Sequence, residues 1–247
     1  MIRLWNEPDF PRLSFLNSFT GVKIRANLAA YGTGYPFLTV WIQRRDEKIT
    51  AVLCRQEQTM FVAADPAADP EELREFCLAV GFESIQADPA LLASMGFESK
   101  QYLLLRLENH APDKPPQHNS PQEVPLRQVY RILYAQPEPD IEPVDPDGWY
   151  ADLSHRIRHG LAAAVTLEHA ATAVASHILP EFAVISGVAV LPDRRGAGLG
   201  SRAVQELLCG LTGRRVYVAA SNGRCSFYEK LGFCRCGTVG ITVSKYE

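Results

Sequence analysis

Apolar and polar positions along the chain follow patterns typical of short strands that alternate with amphipathic helices. Dense or alternating apolar runs, rich in Val, Ala and Ile, are typical of strands. Apolar residues three and four positions apart are typical of helices that bury one face. The predicted strands are 37–42, 49–54, 59–63, 83–86 and 102–107 in the first half, and 162–167, 171–176, 182–191, 216–219 and 239–243 in the second. The predicted helices are 10–30, 70–80, 89–95, 126–135, 148–159, 200–211 and 223–231.

The two halves share the order of their elements and a Gly-Phe dipeptide near the end of each. The segment SMGFES at 94–99 precedes KLGFCR at 230–235 by 136 positions. Few residues are identical at that offset, so the shared order of elements is what indicates an internal duplication.

Proline marks the boundary between the halves. Nine of the 17 prolines lie between Pro112 and Pro146. Each proline removes a backbone donor and restricts the residue before it, so long regular elements are excluded there. We expect a first domain at 1–110, a proline-rich linker at 111–125 and a second domain at 126–247.

Composition excludes several classes of protein. The 247 residues, with 47% hydrophobic and 21% charged, are too apolar for a mostly disordered chain. The net charge of -3 argues against a general nucleic-acid binder. The sequence has no apolar run of transmembrane length and no signal-peptide core. The six cysteines lack a repeated CxxC spacing, so we expect free thiols in the cytoplasm and no metal site.

The strongest local motif lies at 188–204. A strand-like run ends at Leu191, and the segment Arg195-Gly-Ala-Gly-Leu-Gly200 then leads into a helix. Glycines let backbone N–H groups approach a diphosphate closely, and a helix N-terminus offers unpaired donors and the positive end of a dipole. A Lys-Ser/Thr pair after the glycines and an opening βαβ unit are both missing, which excludes a Walker A loop and a Rossmann fingerprint.

This segment resembles the acetyl-CoA-binding motif of the GNAT N-acetyltransferase superfamily, Arg/Gln-x-x-Gly-x-Gly/Ala. The segment from Asn222 through Phe227-Tyr228 to Gly232-Phe233 is similar to the next motif of that family. The resemblance covers about 126–247. It implies an α/β (α+β) fold of tandem GNAT-like domains, each a mixed, mostly antiparallel sheet flanked by helices.

The resemblance also implies roles for single residues. Tyr228 would protonate the departing CoA thiolate, which a phenol within about 3 Å of that atom can do. An amine would attack the bound thioester directly, with no covalent enzyme intermediate. Backbone groups of Val188, Ala189 and Val190 would pair with pantetheine, Asn222 would contact it, and Phe227 would pack against it. The pyrophosphate would be held by the N–H groups of Arg195, Gly196, Ala197, Gly198, Leu199, Gly200 and Ser201.

The acceptor side of the site is less determined. We expect a small-molecule or peptide amine and neither a nucleic-acid nor a membrane partner, and the oligomeric state stays open. A base for the amine has four candidates near strand ends, of which Glu181 is slightly favoured. The stretch 149–160 is either a wall that reads an anionic acceptor through arginine or a charged solvent face. The four candidate bases are Glu168, His169, His177 and Glu181.

The first half lacks the chemistry of the second. Its corresponding segment, 61–76, has no glycine or arginine in the turn and is rich in carboxylates, which repel a diphosphate. At the position of Tyr228 the offset places Leu92, which has no proton to donate. We therefore expect a degenerate GNAT-like domain without a cofactor, beside an acetyltransferase. The alternatives are a CoA-binding regulatory module without catalysis and, with least support, a dimerising interaction protein.

Overall fold

The computed structural model describes residues 1–7, 12–108, 125–135 and 145–243. Its strands are β1 (Ile2–Leu4), β2 (Leu38–Arg45), β3 (Lys48–Gln56), β4 (Thr59–Ala64), β5 (Ser84–Ala87), β6 (Lys100–Leu107), β7 (Ala163–Leu167), β8 (Ala171–Ile178), β9 (Phe182–Val190), β10 (Arg215–Ala220) and β11 (Cys234–Val243). Its α-helices are α1 (Phe19–Tyr31), α2 (Pro70–Val80), α3 (Pro89–Ser94), α4 (Leu126–Leu133), α5 (Pro146–Arg158), α6 (Leu199–Cys209) and α7 (Cys225–Glu229).

The chain divides into two units. The first contains residues 1–104, 219–223 and 235–247, and the second contains 105–218 and 224–234. The predicted linker at 111–125 lies, except for Pro125, outside the described residues, so the domain boundaries stay a prediction. No helix in the described part of the chain is long and apolar enough to cross a membrane.

The sheet of the first unit has both faces covered. Its strands lie in the order β1-β2-β3-β4-β5-β11. All neighbours are antiparallel except β4 and β5, which are parallel. The apolar run at 51–54 sends Leu53 into the core beside α2 and α3, and Val52 into the core beside α1. Successive residues of a strand point to opposite faces, so a continuous apolar run is what a sheet covered on both faces requires.

The first unit corrects one prediction made from sequence and adds one strand. The predicted helix at 10–30 is a 3-10 turn at Ser14–Asn17 followed by α1, because Ser18 is extended and caps α1 by accepting a hydrogen bond from the N–H of Gly21. Residues 10 and 11 lie outside the described part. Strand β1 was not predicted, since three residues carry no periodic pattern.

The second unit holds the strands β7, β8 and β9 in antiparallel order, and β10 runs parallel to β9. Helices α4 and α5 pack on the sheet through Val129, Leu153 and Val174. A Cβ at Gly187 would lie 2.9 Å from Leu133 of α4, whereas the Val190 side chain faces α6. Positions three apart on a strand point to opposite faces, so α4 and α6 cover opposite faces of the sheet. Both units confirm a mixed, mostly antiparallel sheet flanked by helices.

The last strand of the chain contributes to the first unit. Strand β11 pairs antiparallel with β5, with Gly240 opposite Ala87 and Thr242 opposite Ile85. A Cβ at Gly240 would lie 2.7 Å from the Leu92 side chain, so α3 packs directly on this strand at a glycine. The first unit is therefore completed by residues that follow the second unit in sequence.

Candidate functional site

The neighbouring strands β9 and β10 of the second unit pair over only part of their length. Their parallel register runs from Phe182 opposite Arg215 to Ile185 opposite Val218. Strand β9 continues beyond that last pair to Val190, and there it stays paired with β8 on its other side. The far end of β9 therefore has one edge that β10 does not cover.

The backbone groups at this edge follow from the antiparallel register. The N–H of Leu191 donates to the carbonyl of Ala170 at 2.8 Å, which makes that pair a hydrogen-bonded one. Because such pairs alternate with non-bonded ones, Ala189 bonds toward β8 while Val188 and Val190 point their N–H and C=O groups away from it. Three residues were predicted to pair with pantetheine. Val188 and Val190 direct their backbone N–H and C=O groups toward the open edge, whereas Ala189 bonds to β8 and only lines the neighbouring cavity.

The loop after β9 leads into an uncapped helix. A 3-10 turn at Pro192–Arg194 is followed by Gly196 and Gly198, with φ of +83° and +74°, a region that favours glycine. Gly198 is the N-cap of α6 and has no side chain to accept a hydrogen bond. The first helical bond runs from the N–H of Arg202 to Gly198, so the N–H groups of residues 199–201 are outside the helical ladder. The loop and helix start therefore form a group of backbone donors suited to an anion.

Close packing favours glycine at position 200. A Cβ there would lie 3.2 Å from Cγ2 of Val190 and 3.6 Å from the ring of Phe227. A Cβ at Gly196 or Gly198 would meet nothing within 4 Å. The space above the loop is open, whereas its base packs tightly against β9 and α7.

A cavity of about 340 Å³ lies beside this loop. Its wall is mostly apolar, and its ionisable members are Arg195, Arg224 and Tyr228. Such a mostly apolar concave site with a few polar groups is typical of ligand pockets. The residues that line it are Ile132, Leu133, Ala135, Val188, Ala189, Val190, Pro192, Arg195, Gly200, Arg224, Phe227 and Tyr228.

Tyr228 reaches this cavity from α7 with only 7% of its surface exposed. Its ring meets the rings of Phe227 and Phe233 edge to face, at centroid distances of 4.9 and 5.7 Å. Burial raises the pKa of Tyr228 to about 12, because desolvation disfavours the phenolate. The phenol therefore carries its proton at neutral pH and can donate it.

The loop arginines make two kinds of contact. Arg195, which lines the cavity, donates from Nε to the carbonyl oxygen of Val190 at 3.2 Å. Arg194 and Arg202 each bind Glu168, at 2.7 and 2.9 Å. The carboxylate partner of Arg194 and Arg202 was not predicted from the sequence, because the contact is made only when the β7–β8 turn folds against the loop.

None of the four predicted base candidates is among the described residues that line this cavity. Glu168 is bound by two arginines, and Nδ1 of His169 lies 2.7 Å from Nε2 of Gln128. His177 lies in β8, with Nδ1 2.6 Å from the Ser176 hydroxyl. Glu181 precedes β9 at the end farthest from Val190, about 30 Å along the strand at 3.3 Å per residue.

Other predicted residues have mixed outcomes. Arg156 is 1% exposed, with Nε 2.8 Å from Asp152, so it is structural, whereas Arg158 is exposed. Trp149 and Tyr150 join Tyr130 in an aromatic cluster, with Tyr130 centroid distances of 5.4 and 5.5 Å. Trp149 packs against the core beside α4, whereas Tyr150 lines a separate open cavity. Asn222 is exposed at the start of a 3-10 turn, and its contact with pantetheine stays a prediction.

The first unit shows how a related helix start is closed to anions. Asp69 caps α2, and its Oδ1 accepts hydrogen bonds from the N–H groups of Glu71 and Glu72 at 3.1 and 3.2 Å. The buried amide of Gln43 bonds both the N–H and the carbonyl of Asp69, at 2.9 and 3.0 Å. One carboxylate and one amide thus occupy, at the start of α2, the kind of N–H donors that α6 leaves open.

Comparisons with known proteins agree with this geometry. Residues 126–233 match the family model of the acetyltransferase (GNAT) family. No curated protein matches the sequence significantly.

Solved structures resemble the fold along most of the chain. A tandem GNAT protein from the clavulanic acid biosynthesis pathway is 16% identical, with a TM-score of 0.55 over 91% of this chain and 87% of that one. A GCN5-related N-acetyltransferase from Kribbella flavida is 15% identical, with a TM-score of 0.57 over 95% and 96%. One from Sphaerobacter thermophilus is 13% identical, with a TM-score of 0.57 over 90% and 84%. At these identities the likeness concerns the fold, which is that of GNAT proteins, including a tandem one. The open edge of β9 and the glycine loop thus lie within residues 126–233, the segment that matches the acetyltransferase (GNAT) family model.

Proposed function

We propose that this protein is a cytoplasmic N-acetyltransferase that transfers acetyl from acetyl-CoA directly to the primary amine of a small-molecule or peptide acceptor. The observation that carries the proposal is the uncapped N-terminus of α6 beside the open edge of β9. One feature supplies donors for a diphosphate and the other supplies the pairing groups that an amide-containing arm requires. The first unit, with its capped helix start, takes a structural role without a donor site.

The residues present fit acetyl-CoA along the length of the site. The N–H groups of residues 196–201 hold the pyrophosphate. The N–H of Arg195, which was predicted to join them, instead donates to the carbonyl of Pro192 at 3.3 Å, so Arg195 contributes only the charge of its side chain. Val188 and Val190 pair with the pantetheine amides, and Phe227 packs against that arm. The apolar side chains of Ile132 and Leu133 exclude water from the reacting end.

Acetyl-CoA supplies an activated acetyl thioester when it is bound. Tyr228 donates a proton toward the sulfur as the thiol departs, and its raised pKa keeps that proton available at neutral pH. No cysteine is required as a nucleophile, and the nearest in sequence to Tyr228, Cys225, is 1% exposed and is not among the described residues that line the cavity.

The second candidate function is a regulatory module that binds CoA without catalysis. The observation that favours it is the position of the four base candidates, none of which lines the cavity within the described ranges. Tyr228 favours the enzyme, because it places a proton donor in the wall of the cavity, which binding alone does not require.

Thermal unfolding of the full chain with acetyl-CoA tests the donor site, with NADH and ATP as control ligands. A ligand at a hundred times its dissociation constant stabilises a protein by about 2.7 kcal/mol, a shift of a few degrees. A shift specific to acetyl-CoA supports the proposal, and no shift at millimolar acetyl-CoA overturns both candidate functions. Release of free CoA thiol across a panel of primary amines then separates the enzyme from the module.

A further inference from the structure

Three arginines, Arg194, Arg195 and Arg202, lie in and beside the loop 195–201, and two of them bind the same carboxylate. Oε2 of Glu168 lies 2.7 Å from Nη2 of Arg194, and Oε1 lies 2.9 Å from Nη1 of Arg202. Each carboxylate oxygen thus binds a different arginine. Charge-assisted hydrogen bonds of this length are among the stronger ones in proteins.

The two arginines are placed at the two ends of the loop. Arg194 directly precedes the donor stretch 195–201, and Arg202 directly follows it. Their backbone positions lie in different elements, a 3-10 turn and α6. A single side chain therefore connects both ends of the stretch whose N–H groups must converge on one anion.

The carboxylate itself is held in a tight turn. Glu168 and His169 connect β7 to β8 with φ of +49° and +53°, and the N–H of Ala170 donates to the carbonyl of Leu167 at 2.9 Å. Positive φ at both central residues, with this hydrogen bond from the fourth residue to the first, is typical of a type I′ turn. The neighbouring His169 is bonded to Gln128 of α4 at 2.7 Å, so the turn is anchored independently of the loop.

We propose that Glu168 is a positioning residue for the donor site: it clamps the loop 195–201 by holding Arg194 and Arg202, and so sets the affinity for acetyl-CoA. The inference rests on the proposed function for its ligand, and on the two ion pairs for its geometry. Glu168 acts through the arginines and does not itself touch the donor.

Charge alone predicts that neutralisation of Glu168 strengthens acetyl-CoA binding, whereas the clamp predicts that it weakens binding. The direction of the change therefore distinguishes the two. Glu168 is a negative charge close to a site for a diphosphate, so its neutralisation by itself strengthens anion binding. Loss of the clamp instead lets the loop donors diverge and weakens binding. A weaker affinity in a neutralised variant therefore has a geometric origin.

The chain offers a matched control in Glu108. It also bridges two arginines, Arg106 at 2.7 Å and Arg215 at 3.0 Å, and its side chain is 47% exposed against 43% for Glu168. Glu108 lies outside the loop and outside the residues that line the cavity. Glu108→Gln thus removes the same charge from the same kind of bridge without touching the donor stretch.

The experiment measures three quantities (affinity, amide exchange and kcat) on the wild-type full chain and on its variants Glu168→Gln, Glu168→Asn and Glu108→Gln. Asn tolerates the positive φ of the turn and is too short to span both arginines, so it guards against misfolding of the first variant. Calorimetric titration gives the dissociation constant for acetyl-CoA, and hydrogen exchange gives the protection of the 195–201 amides without ligand. We expect both Glu168 variants to bind about three- to tenfold more weakly and to exchange faster at 195–201, with kcat at saturating donor within about twofold of wild type.

Other results overturn one claim or the other. Equal or tighter binding by the Glu168 variants, or an equal effect of Glu108→Gln, overturns the clamp. Unchanged exchange at 195–201 overturns it as well. A wild-type chain that does not bind acetyl-CoA overturns the proposed function, and with it the affinity role of Glu168, whereas the exchange data still decide whether the carboxylate orders the loop.

Discussion

The ring of Tyr228 meets the ring of Phe227 edge to face, with centroids 4.9 Å apart, in a helix of five residues that forms one wall of the cavity. Edge-to-face contact is the favoured geometry of an aromatic pair, and Phe233 adds a second such contact at 5.7 Å. The tyrosine ring is thus fixed by packing, and only its hydroxyl remains for chemistry.

Replacement of this hydroxyl is the most direct test of the catalytic proposal. Tyr228→Phe keeps the ring contacts and removes the proton donor, so we expect kcat to fall about a hundredfold or more while the dissociation constant for acetyl-CoA changes less than twofold. Tyr217→Phe is the control, because Tyr217 is equally buried, at 6% exposure, and lies in β10. Full activity of Tyr228→Phe would remove the general-acid role.

The pH dependence of the reaction follows from the buried phenol. With a pKa of about 12, Tyr228 loses its proton only at strongly alkaline pH, and about 1% is ionised at pH 10. We therefore expect kcat at saturating substrates to show no loss attributable to this group between pH 7 and 10. If kcat instead fell at alkaline pH with a midpoint below pH 10, and if this fall were absent in Tyr228→Phe, the raised pKa of the buried phenol would be contradicted.

Stability at alkaline pH depends on a thiol in the first unit. Cys77 is fully buried on α2, and desolvation raises its pKa from 9.0 to about 12. Above pH 9 the unfolded thiol ionises while the folded one does not, so this contribution to stability is complete below pH 9 and is lost as the pH rises toward 12.

Urea unfolding at pH 8 and pH 10.5 measures this loss. By linkage, Cys77 accounts for a decrease of about 2 kcal/mol in the free energy of unfolding between the two values. In Cys77→Val, the free energy of unfolding should therefore decrease by about 2 kcal/mol less than in the wild type between pH 8 and pH 10.5. Cys234→Val is the control, since its exposed thiol faces water in both states and should leave the decrease unchanged. An identical pH dependence of Cys77→Val and wild type would contradict the prediction.

The loop glycines permit a comparison of two residues with the same backbone strain. Gly198 and Gly213 have φ of +74° and +78°, and a Cβ at either meets nothing within 4 Å. Alanine at each should cost about 1 kcal/mol of stability, because both require a left-handed conformation. Only Gly198→Ala should also weaken acetyl-CoA binding, by about tenfold, since relaxation of its φ turns the loop N–H groups aside. Equal affinities of the two variants would show that the loop does not hold the donor.

Sequence patterns predicted those parts of the fold whose signal is local. Helix α6 was recognised from its apolar spacing, and the loop at 195–200 from its glycines, because both depend on neighbours within a turn or two. Strand β1 has no such signal, and the predicted helix at 10–30 ran through Ser18, whose side chain instead starts α1.

The parts of the site that sequence did not predict are contacts between distant segments. Ile132 and Leu133 line the cavity from α4, and Arg224 lines it from the turn before α7, yet nothing in their local sequence marks them. The ion pairs of Glu168 join residues 26 and 34 positions apart. Glu168 was considered as a base because it lies at a strand end, and only the folded turn shows that two arginines already bind it.

The last prediction concerns the number of donor sites. In the first unit the helix start at Asp69 is closed, because the Asp69 carboxylate bonds the N–H groups of Glu71 and Glu72 and Gln43 bonds the Asp69 backbone. Titration should therefore give one acetyl-CoA per chain. Asp69→Ala removes the cap and should cost about 1 kcal/mol in the free energy of unfolding, without a change in stoichiometry or affinity, since the carboxylates of Glu71 and Glu72 still repel a diphosphate. Two equivalents of acetyl-CoA bound by the wild type would show that the first unit also holds a donor.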